Sequence, residues 1–539
     1  MPIGLELLKE HRYEELWRRY CGYIDLSIRD FMGIQRHLLQ EQLSLLNECE
    51  LGQRVMRGAR PQTVEEFRAQ VPLTTYDDYA PYLLERREDV LPSKPFVWQR
   101  TSGASSEFTH KWAPISERAY RAMGPVIFAI LMFATCRRKG DINFGGHEKI
   151  LYALAPPPYA TGSWGRLVTE ELPLDFLPSA EEAETMSFEE RIGRGVEMAL
   201  SDGLDVVFGL PSVLMAIGQK MGNRSSNGHD ISRWLGQPRT LLRMAKALAK
   251  SKIARRNLMP KDFWSLQGIA IAGSDCALYR ERIKEMWGSD PLEVYGCTEG
   301  LVIATQTWDR QGMTFNPNLN FLEFIPEQEH YRAGAIPGYR PSTLLLDEIS
   351  PGENYELVIT SLLGGCFVRY RLGDLVKVTA LRNEALDIDL PQISFYARDD
   401  SLIDLAGFTR LTEKTISQAL AAAGVSCQDW VARREGGDTG VLNIYLELSN
   451  GRRWTAPDLT AAIHRELKRL DAPYADLEGM LGLEPLRVSV LRKGAFQEHW
   501  DRRRASGIDK AQLRPSHINP SDDLIAALLD GASVPAQSR

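Results

Sequence analysis

Short apolar runs of strand length alternate with helical patterns from about residue 100 onwards, and this alternation constrains the fold more than any other feature. The runs cover 150–154, 206–210, 269–272, 292–295 and 355–360, and most are flanked by Gly, Pro, Asp or Ser. Strands that alternate with helices are typical of parallel sheets whose faces those helices cover. We therefore predict an α/β fold, with mixed or parallel sheets in a large N-terminal lobe.

The two ends of the chain have other patterns. Apolar residues at helical spacing through 24–46, interrupted at Gln35 and Gln42, predict helices near the N-terminus. After about residue 400, strand-like and helical segments follow one another in a β-β-α-β order, with the helix at 457–470. That order is typical of a small α+β lobe.

Length and composition narrow the class of protein. The chain has 539 residues, 44% hydrophobic and 25% charged, which excludes collagen-like, disordered and disulfide-scaffold proteins. At roughly 150 residues per domain the length suggests three to four units. The changes of pattern reduce these to two, so we predict a large domain at 1–395 and a smaller, mobile domain at 396–539. The net charge of -7 argues against a dedicated nucleic-acid-binding protein.

Cysteine usage and hydropathy predict a cellular compartment. The seven cysteines are scattered and never spaced as Cys-x-x-Cys, which suits a reducing environment. The N-terminus lacks the basic start and long apolar core of a signal peptide. The most apolar run, 123–136, is shorter than the ~18 residues of a spanning helix and predicts a buried helix instead. We expect a cytoplasmic protein with no membrane and no nucleic-acid partner.

A loop of small and hydroxyl residues, TSGASS at 101–106, precedes Lys111. Such a loop exposes backbone N–H groups that can cradle phosphate oxygens, and the lysine adds positive charge. The spacing of a Walker loop is absent. For this segment alone an ordinary turn is the favoured interpretation.

The strand predicted at 292–295 leads into the turn GCTEG at 296–300. Loops at the carboxyl ends of parallel strands are where α/β sheets bind ligands. The Tyr295 ring can stack on a base, and Glu299 can hold Mg²⁺ because magnesium prefers oxygen ligands. The alternative is a capped helix start, in which Thr298 or Glu299 serves the helix N-terminus.

Two later segments combine charged residues with a glycine. In RYRLGD at 369–374, Asp374 is suited to accept hydrogen bonds from the two hydroxyls of a ribose, and the alternative is a β-turn that contains Asp. The segment ARDDSLIDLAGF at 397–408 lies where the pattern changes and indicates an interdomain hinge, with a surface loop as the alternative.

Together these four segments resemble the acyl-adenylate-forming superfamily. Residues 101–111 are similar to its phosphate loop, which ends in lysine, and 295–299 match its Tyr-Gly-x-Thr-Glu segment at every fixed position. Residues 371–374 resemble its Gly-Asp ribose segment. Residues 398–407 resemble its hinge segment, except that Asp404 replaces the usual lysine.

A narrower resemblance covers most of the chain. The helical N-terminus and the Tyr-Arg-x-Gly-Asp form at 370–374 are similar to the acyl acid amido synthetases, the auxin- and jasmonate-conjugating enzymes of plants and their bacterial relatives. The C-terminal stretch resembles that family's closing segment, with GAF at 494–496, then Trp500, Gly507 and QLRP at 512–515.

The resemblance implies a reaction. A small carboxylic acid attacks the α-phosphate of ATP, giving an acyl-adenylate and pyrophosphate. An amine, such as an amino acid, then attacks the activated carbonyl and gives an amide and AMP. ATP and Mg²⁺ are the expected cofactors, and the expected assembly is a monomer.

The resemblance also implies site residues. Tyr295 would stack on adenine, Asp374 would bind the ribose, Glu299 would bind Mg²⁺, and Asp400 would be the hinge. The implied nucleotide-binding residues are Thr101, Ser102, Gly103, Ser105, Lys111, Gly273, Ser274, Tyr295, Gly296, Thr298, Asp374 and Arg398. The implied catalytic residues are Glu299, Lys510 and Arg514.

The sequence departs from the family at two places. Glu107 adds negative charge to the phosphate loop, which also lacks its usual later glycine. Arg514 stands where the family has a late catalytic lysine, and arginine differs from lysine in shape and hydration. Lys510, four residues earlier, can substitute only if the loop shifts.

The sequence indicates the residues of the acyl pocket less clearly. Tyr159, Trp164 and Phe208 are candidates for an apolar lining, and Arg121 for binding a second carboxylate. For each of these residues, ordinary core or a solvated helix face is the favoured alternative.

Two other functions stay open. A ligase that transfers the acyl group to coenzyme A or a carrier thiol shares the Tyr-Gly-x-Thr-Glu form. A catalytically degenerate relative would bind a nucleotide or an acid as a regulator. Glu107 and Arg514 keep open the interpretation that the chain is a catalytically degenerate relative. The presence of both Glu299 and Asp374 weighs against that interpretation.

Overall fold

The structure is a computed structural model of the chain. It describes residues 2–101, 111–154, 157–186, 188–224, 238–273, 276–336, 338–398, 402–405, 409–435, 441–449, 454–471, 474–475, 485–505 and 517–529. The chain divides into two compact units, Met1–Tyr396 and Ala397–Arg539.

In its described residues the first unit is built from helices, strands and three short 3₁₀ turns at Gly22–Asp25, Tyr76–Asp78 and Ala160–Ser163. Its helices are α1 (Ile3–Lys9), α2 (Tyr13–Cys21), α3 (Ile28–Glu48), α4 (Glu50–Val55), α5 (Val64–Gln70), α6 (Ala80–Leu83), α7 (Glu117–Thr135), α8 (Trp164–Glu171), α9 (Ala180–Glu184), α10 (Phe188–Asp202), α11 (Pro211–Arg224), α12 (Pro238–Ile253), α13 (Pro260–Phe263), α14 (Cys276–Trp287) and α15 (Glu327–Ala335). The strands up to residue 398 are β1 (Pro95–Arg100), β2 (Trp112–Ser116), β3 (Lys149–Ala153), β4 (Asp175–Leu177), β5 (Val206–Gly209), β6 (Gly268–Ala272), β7 (Leu292–Cys297), β8 (Leu301–Thr305), β9 (Met313–Phe315), β10 (Asn320–Pro326), β11 (Asn354–Ser361), β12 (Tyr370–Ala380) and β13 (Gln392–Arg398).

A large mixed sheet organises the first unit. In the described residues it has eleven strands in the order β10-β11-β12-β13-β9-β8-β7-β6-β5-β3-β4. Strands β4, β3, β5, β6 and β7 are parallel, with helices in the connections between them. The predicted α/β class is therefore confirmed.

One expected parallel strand is antiparallel instead. The run at 355–360 lies in β11, which pairs antiparallel with β10 and with β12. The reason is the connection at 362–369, which is too short for the crossover that parallel neighbours need.

Helix α7 crosses the core, as the apolar run at 123–136 predicts. Ser116 caps its N-terminus by accepting a hydrogen bond from the Ala119 N–H at 3.1 Å. Its residues from Val126 to Thr135 are all buried. Within the described ranges, no helix combines the length and the apolar character that crossing a membrane requires.

The two glutamines that interrupt the apolar stripe of α3 are buried for a structural reason. The Gln35 amide donates to the carbonyl oxygens of Pro317 and Asn320 and accepts from the Leu322 N–H. Gln42 donates to the Gly365 carbonyl oxygen and accepts from the Gly364 N–H. Buried backbone groups need such partners, so α3 stabilises the sheet-edge loops through both glutamines.

A buried ion pair joins the N-terminal helices to the sheet. The guanidinium of Arg369 donates to both oxygens of Glu323, at 3.0 and 2.7 Å. It also donates to the carbonyl oxygens of Arg68 and Val71 and to the Thr343 hydroxyl. Arg369 is 5% exposed and Glu323 is fully buried, so each charge depends on the other.

The second unit has its own sheet and core. Its elements are β14 (Leu402–Leu405), β15 (Thr409–Thr412), α16 (Glu413–Ala422), β16 (Cys427–Glu435), β17 (Val441–Leu448), α17 (Ala456–Leu470), β18 (Leu486–Val490), α18 (Ala495–Ala505) and α19 (Asp522–Leu529). Strands β16 and β17 pair antiparallel, and β17 and β18 pair parallel. The predicted β-β-α-β order is present, and Thr455 caps α17.

We expect Arg369→Met to lower the free energy of unfolding of the first unit by about 3–5 kcal/mol, because it leaves the Glu323 carboxylate buried without its partner. Thermal unfolding followed by circular dichroism measures the change. The double variant Arg369→Met/Glu323→Leu should recover much of the loss, since the buried charge is then gone.

The matched control is Arg382→Met, which removes an exposed arginine paired with Asp387 at 3.1 Å. We expect a change of about 0–1 kcal/mol there. Equal losses for Arg369→Met and Arg382→Met would contradict the role assigned to the buried pair.

Candidate functional site

Tyr295 and Asp374, which belong to two different strands of the main sheet, are joined by a hydrogen bond. Tyr295 lies in β7 and Asp374 in β12, and the tyrosine hydroxyl donates to the Asp374 carboxylate at 2.9 Å. Tyr295 is 6% exposed and Asp374 is 1% exposed. The Phe395 ring lies against Tyr295 with the ring centroids 5.8 Å apart. The hydrogen bond fixes the orientation of the aspartate predicted to bind the ribose.

The turn after Tyr295 requires a glycine for a purely structural reason. The pairing of β7 with β8 shifts register at Gly296, where a Cβ atom would lie 2.2 Å from the Leu301 carbonyl oxygen. Any other residue would force this backbone apart. Gly296 is exposed and Thr298 is half-buried, so the turn itself presents them to the surface.

Glu299 lies in this turn and contacts the first residue of β12. Its Oε1 accepts a hydrogen bond from the Tyr370 hydroxyl at 3.2 Å. Burial, and then the nearby Glu299 charge, raise the pKa of Tyr370 well above its usual value. The phenol therefore stays protonated and acts as a donor to the carboxylate.

The contacts of Glu299 fit a magnesium ligand. Among the described residues its second oxygen, Oε2, accepts no hydrogen bond. No group of three or more His, Cys, Asp or Glu side chains is arranged to hold a metal in the part of the chain that the structure describes. Magnesium commonly takes one or two carboxylates and completes its shell with waters and substrate phosphates, which one open carboxylate oxygen allows.

The base of the predicted phosphate loop is fixed by backbone pairing. The Thr101 N–H donates to the Lys111 carbonyl oxygen at 3.0 Å, and the Lys111 N–H donates to the Thr101 hydroxyl at 3.1 Å. The Lys111 ammonium lies 5.3 Å from the centre of the Tyr76 ring. Burial raises the pKa of Tyr76 to about 12, opposed by a hydrogen bond with Trp112 and reinforced by the Glu299 charge.

Glu299 lies close to the end of β2, the strand that follows the 101–111 loop. Ser116 of β2, Glu299 and Ser361 line one cavity of about 20 Å³. The Ser361 hydroxyl also donates to the Glu299 carbonyl oxygen at 3.3 Å. The structure therefore brings together residues of β2, of the turn after β7 and of β11, which are far apart in the sequence.

Arg100 is a residue that the sequence reasoning missed. It ends β1 directly before Thr101, and its Nη2 donates to the Tyr159 hydroxyl at 2.8 Å. Its guanidinium carbon also lies 5.2 Å from the centre of the Tyr159 ring. No carboxylate within the described ranges forms an ion pair with it, and its buried Nε has no hydrogen-bond partner. In the sequence, its position directly before the predicted phosphate loop was the feature that could have identified it.

The candidates for the acyl pocket separate into two groups. Trp164 and Phe208 pack together, with ring centroids 5.6 Å apart, and both belong to the main hydrophobic core. Tyr159 is 6% exposed and contacts Arg100. Arg121 instead lies on an exposed face of α7, where Glu117 pairs with it at 2.9 Å. Their roles in binding an acid stay predictions.

The other nucleotide-site candidates lie at strand ends or outside the described residues. Gly273 follows β6 with a φ of 149°, a backbone conformation that favours glycine, and Arg398 is exposed at the end of β13. The candidates outside the described residues are Ser102, Gly103, Ser105, Ser274, Asp400, Lys510 and Arg514.

In the second unit a buried histidine lies shortly after Arg514. The Nδ1 of His517 is 2.5 Å from a Glu413 oxygen, and its Nε2 is 2.9 Å from an Asp429 oxygen. The imidazole stacks on Trp430 at 4.7 Å. Burial alone would lower its pKa, but the hydrogen bonds and charges of the two carboxylates outweigh burial and raise the pKa of His517 to about 9.

Comparison with known families identifies two domains in the chain. The model of the GH3 family N-terminal domain matches residues 22–155, and that of the GH3 family central domain matches residues 313–398. The second match contains Tyr370 and Asp374, and the first contains the predicted phosphate loop.

Curated plant proteins are also similar to parts of this chain. A jasmonoyl–L-amino acid synthetase of Oryza sativa subsp. japonica is 28% identical over 47% of this chain and 45% of its own length. An indole-3-acetic acid-amido synthetase of Oryza sativa subsp. indica is 30% identical over 35% of this chain and 31% of its own length. The chain thus spans less than half the length of these curated relatives.

Solved structures share the fold. The AtGH3.15 acyl acid amido synthetase in complex with 2,4-DB matches with a TM-score of 0.65 and 15% identity, over 94% of this chain and 96% of that one. A 2-hydroxyisobutyryl-CoA ligase in the postadenylation state matches with a TM-score of 0.59 and 14% identity, over 96% of this chain and 94% of that one.

The His517 contacts predict a pH-dependent stability of the second unit. Its folded pKa of about 9 lies above the ordinary value of about 6.5, so the stabilisation is complete below that ordinary value and is lost as pH rises through the folded pKa. We expect the difference in melting temperature between the wild type and His517→Gln to be largest at about pH 6 and to shrink towards pH ~10.

Thermal unfolding at several pH values measures this difference. His464→Gln is the control, because His464 is half-buried in the same unit and its Nδ1 hydrogen-bonds the Tyr474 hydroxyl at 2.9 Å. A difference for His517→Gln that stays constant with pH would refute the charged state assigned to His517.

Proposed function

We propose that the chain, which contains regions matching the GH3 family N-terminal and central domains, is an ATP-dependent ligase that joins a small carboxylic acid to an amine. The observation that carries the proposal is that the Tyr295 hydroxyl donates to Asp374, while Glu299 lines a cavity with residues of β2, the strand that follows the 101–111 loop. An aspartate, an aromatic ring and an open carboxylate beside a phosphate loop suit a nucleotide and its metal ion.

The proposed reaction has two steps. A carboxylate oxygen of the acid attacks the α-phosphorus of ATP, and pyrophosphate leaves with the electron pair of the broken P–O bond. The amine nitrogen then attacks the acyl carbonyl, AMP leaves, and the nitrogen loses a proton. The products are an amide, AMP and pyrophosphate.

The first step brings two anions together, so it depends on positive charge and on positioning. Lys111 supplies charge at the loop, and Asp374, oriented by Tyr295, accepts from the ribose hydroxyls. Tyr370 holds one oxygen of Glu299 and leaves the other for Mg²⁺, which would neutralise phosphate charge when bound.

Residues of the second unit also have roles in this proposal. In this proposal Arg514 takes the role of the family's late lysine, Arg398 lies near the ribose, and Asp400 is the hinge. Arginine keeps the positive charge of a lysine but offers a planar fork of donors, which suits two phosphate oxygens at once.

Pyrophosphate exchange into ATP across a panel of carboxylic acids tests the activity. We expect exchange that depends on one class of acid, and an amide product when amines are added. Adduct formation only with coenzyme A would replace the amide proposal by the thioester alternative, and no exchange with any acid would support a regulatory protein.

Substitutions of two aspartates test the assignment of Asp374 to the ribose. Asp374→Asn should raise the KM for ATP about 10- to 100-fold, because it weakens hydrogen bonds to a charged acceptor. Asp387→Asn is the control, since the Asp387 side chain is 92% exposed, and it should change nothing. Circular dichroism checks that both variants fold.

Arg514→Ala should abolish acid-dependent pyrophosphate exchange while the protein stays folded, since its charge is assigned to the transferring phosphate. Arg382→Ala, at an exposed position in the first unit, is the control and should keep full activity. Unchanged turnover in Arg514→Ala would exclude this residue, and loss in Lys510→Ala alone would transfer the role to Lys510.

A further inference from the structure

Helix α12 and the residues after it form the most basic stretch of the described chain. Residues 238–256 contain seven basic residues and no acidic one, although the whole chain has a net charge of -7. The basic residues are Arg239, Arg243, Lys246, Lys250, Lys252, Arg255 and Arg256. A local excess of this size on one helix points to an anionic partner.

The inner face of α12 is fixed to the rest of the first unit. Thr240, Ala247 and Ser251 are buried, and seven and four residues separate them, so they share one side of the helix. Arg243 donates to the carbonyl oxygens at the end of α10, including that of Ser201 at 3.1 Å. The opposite side of the helix therefore faces away from the residues against which α12 packs.

That opposite side carries both apolar and charged residues. We call it the α12 outer face and define it by Leu242, Lys246, Lys250 and Ile253, which lie on the outward turns of the helix. The exposed fraction is 58% for Leu242 and 84% for Ile253. Large aliphatic side chains this exposed, at both ends of one helix face, gain from leaving water.

The cations of α12 and of the residues after it have no close ion-pair partner among the described residues, with one exception. Lys246, Lys250, Lys252 and Arg255 are exposed, and none of them forms an ion pair with any carboxylate in the described ranges. Arg256 shows the contrast, because it pairs with both oxygens of Asp262 at 2.7 Å. The charge of the α12 outer face is thus available to a partner.

We propose that the α12 outer face docks on an anionic phospholipid surface. The lysines would contact lipid phosphates and carboxylates, while Leu242 and Ile253 enter the boundary with the acyl chains. A nucleic acid would use the charges but leave both aliphatic side chains in water, and the face has no aromatic ring on which bases could stack.

This inference revises the expectation that the chain has no membrane partner. That expectation rests on the lack of a spanning segment, and a helix that lies on a surface needs none. The inference is also independent of the proposed ligase activity, because it concerns α12 and uses none of the residues assigned to the nucleotide site.

Sedimentation with vesicles tests the proposal on the full chain. We expect binding to vesicles of equal parts phosphatidylglycerol and phosphatidylcholine, and none to pure phosphatidylcholine. Binding should weaken as salt rises from about 0.1 to 0.5 M, because screening shortens the range of the attraction. Lys246→Glu/Lys250→Glu/Lys252→Glu should weaken it at least about 100-fold, at roughly fivefold for each lost cation.

Two further variants separate the contributions. Leu242→Ser/Ile253→Ser should weaken binding without changing charge. Lys94→Glu/Lys377→Glu/Lys414→Glu changes the net charge equally at exposed positions elsewhere, and should bind as the wild type does. Circular dichroism and ATP-dependent activity should be unchanged in all three, which keeps this test apart from that of the proposed function.

Three results of these measurements would overturn the lipid assignment. The proposal is wrong if the wild type does not bind anionic vesicles, or if the control triple variant loses binding as strongly as the α12 variant. Stronger binding to duplex DNA or RNA than to the vesicles, lost in the same α12 variant, would assign the face to nucleic acid and overturn the lipid assignment.

Discussion

The first unit depends on the buried ion pair of Arg369 and Glu323. Arg369 directly precedes β12, and Glu323 lies in β10 across the neighbouring strand. Every N–H of the guanidinium has an acceptor, including two carbonyl oxygens at the end of α5 and after it. Such a pair tolerates burial only when it is complete, so the N-terminal helices and the start of β12 are fixed together.

The start of β12 then determines the candidate site. Tyr370 follows Arg369 and holds Glu299, while Arg371 pairs with the buried Glu356 at 2.6 Å. Burial alone would raise the pKa of Glu356, but hydrogen bonds from His330 and Arg371 lower it. With these two residues anchored, Asp374 reaches Tyr295 in β7. The motif at 370–374 is therefore partly a structural anchor, and only some of its residues are free to serve a ligand.

Charge is distributed unevenly over this acidic chain. Near the candidate site, Arg100 and Lys111 flank residues 102–110 in the sequence, and Arg100 donates to the Tyr159 hydroxyl. On α12, the exposed Lys246 and Lys250 share a face with two exposed aliphatic side chains. Net charge describes neither arrangement, because both depend on which side of an element each residue faces.

The sequence by itself determined the α/β class, the positions of most strands and the segments that resemble adenylate-forming enzymes. These features are local: apolar periodicity and short motifs are visible within a few residues. It also marked Gln35 and Gln42 as interruptions, but could not say that their amides bind sheet-edge loops about 300 positions later in the chain.

Only the tertiary structure decided which of these distant segments meet. The antiparallel pairing of β11, the Tyr370–Glu299 and Tyr295–Asp374 hydrogen bonds, and the Arg100–Tyr159 contact all join residues far apart in sequence. A pattern read along the chain carries no distance between such residues. Their contacts arise when burial of the core brings the strands into one sheet, where each buried polar group must find its partner.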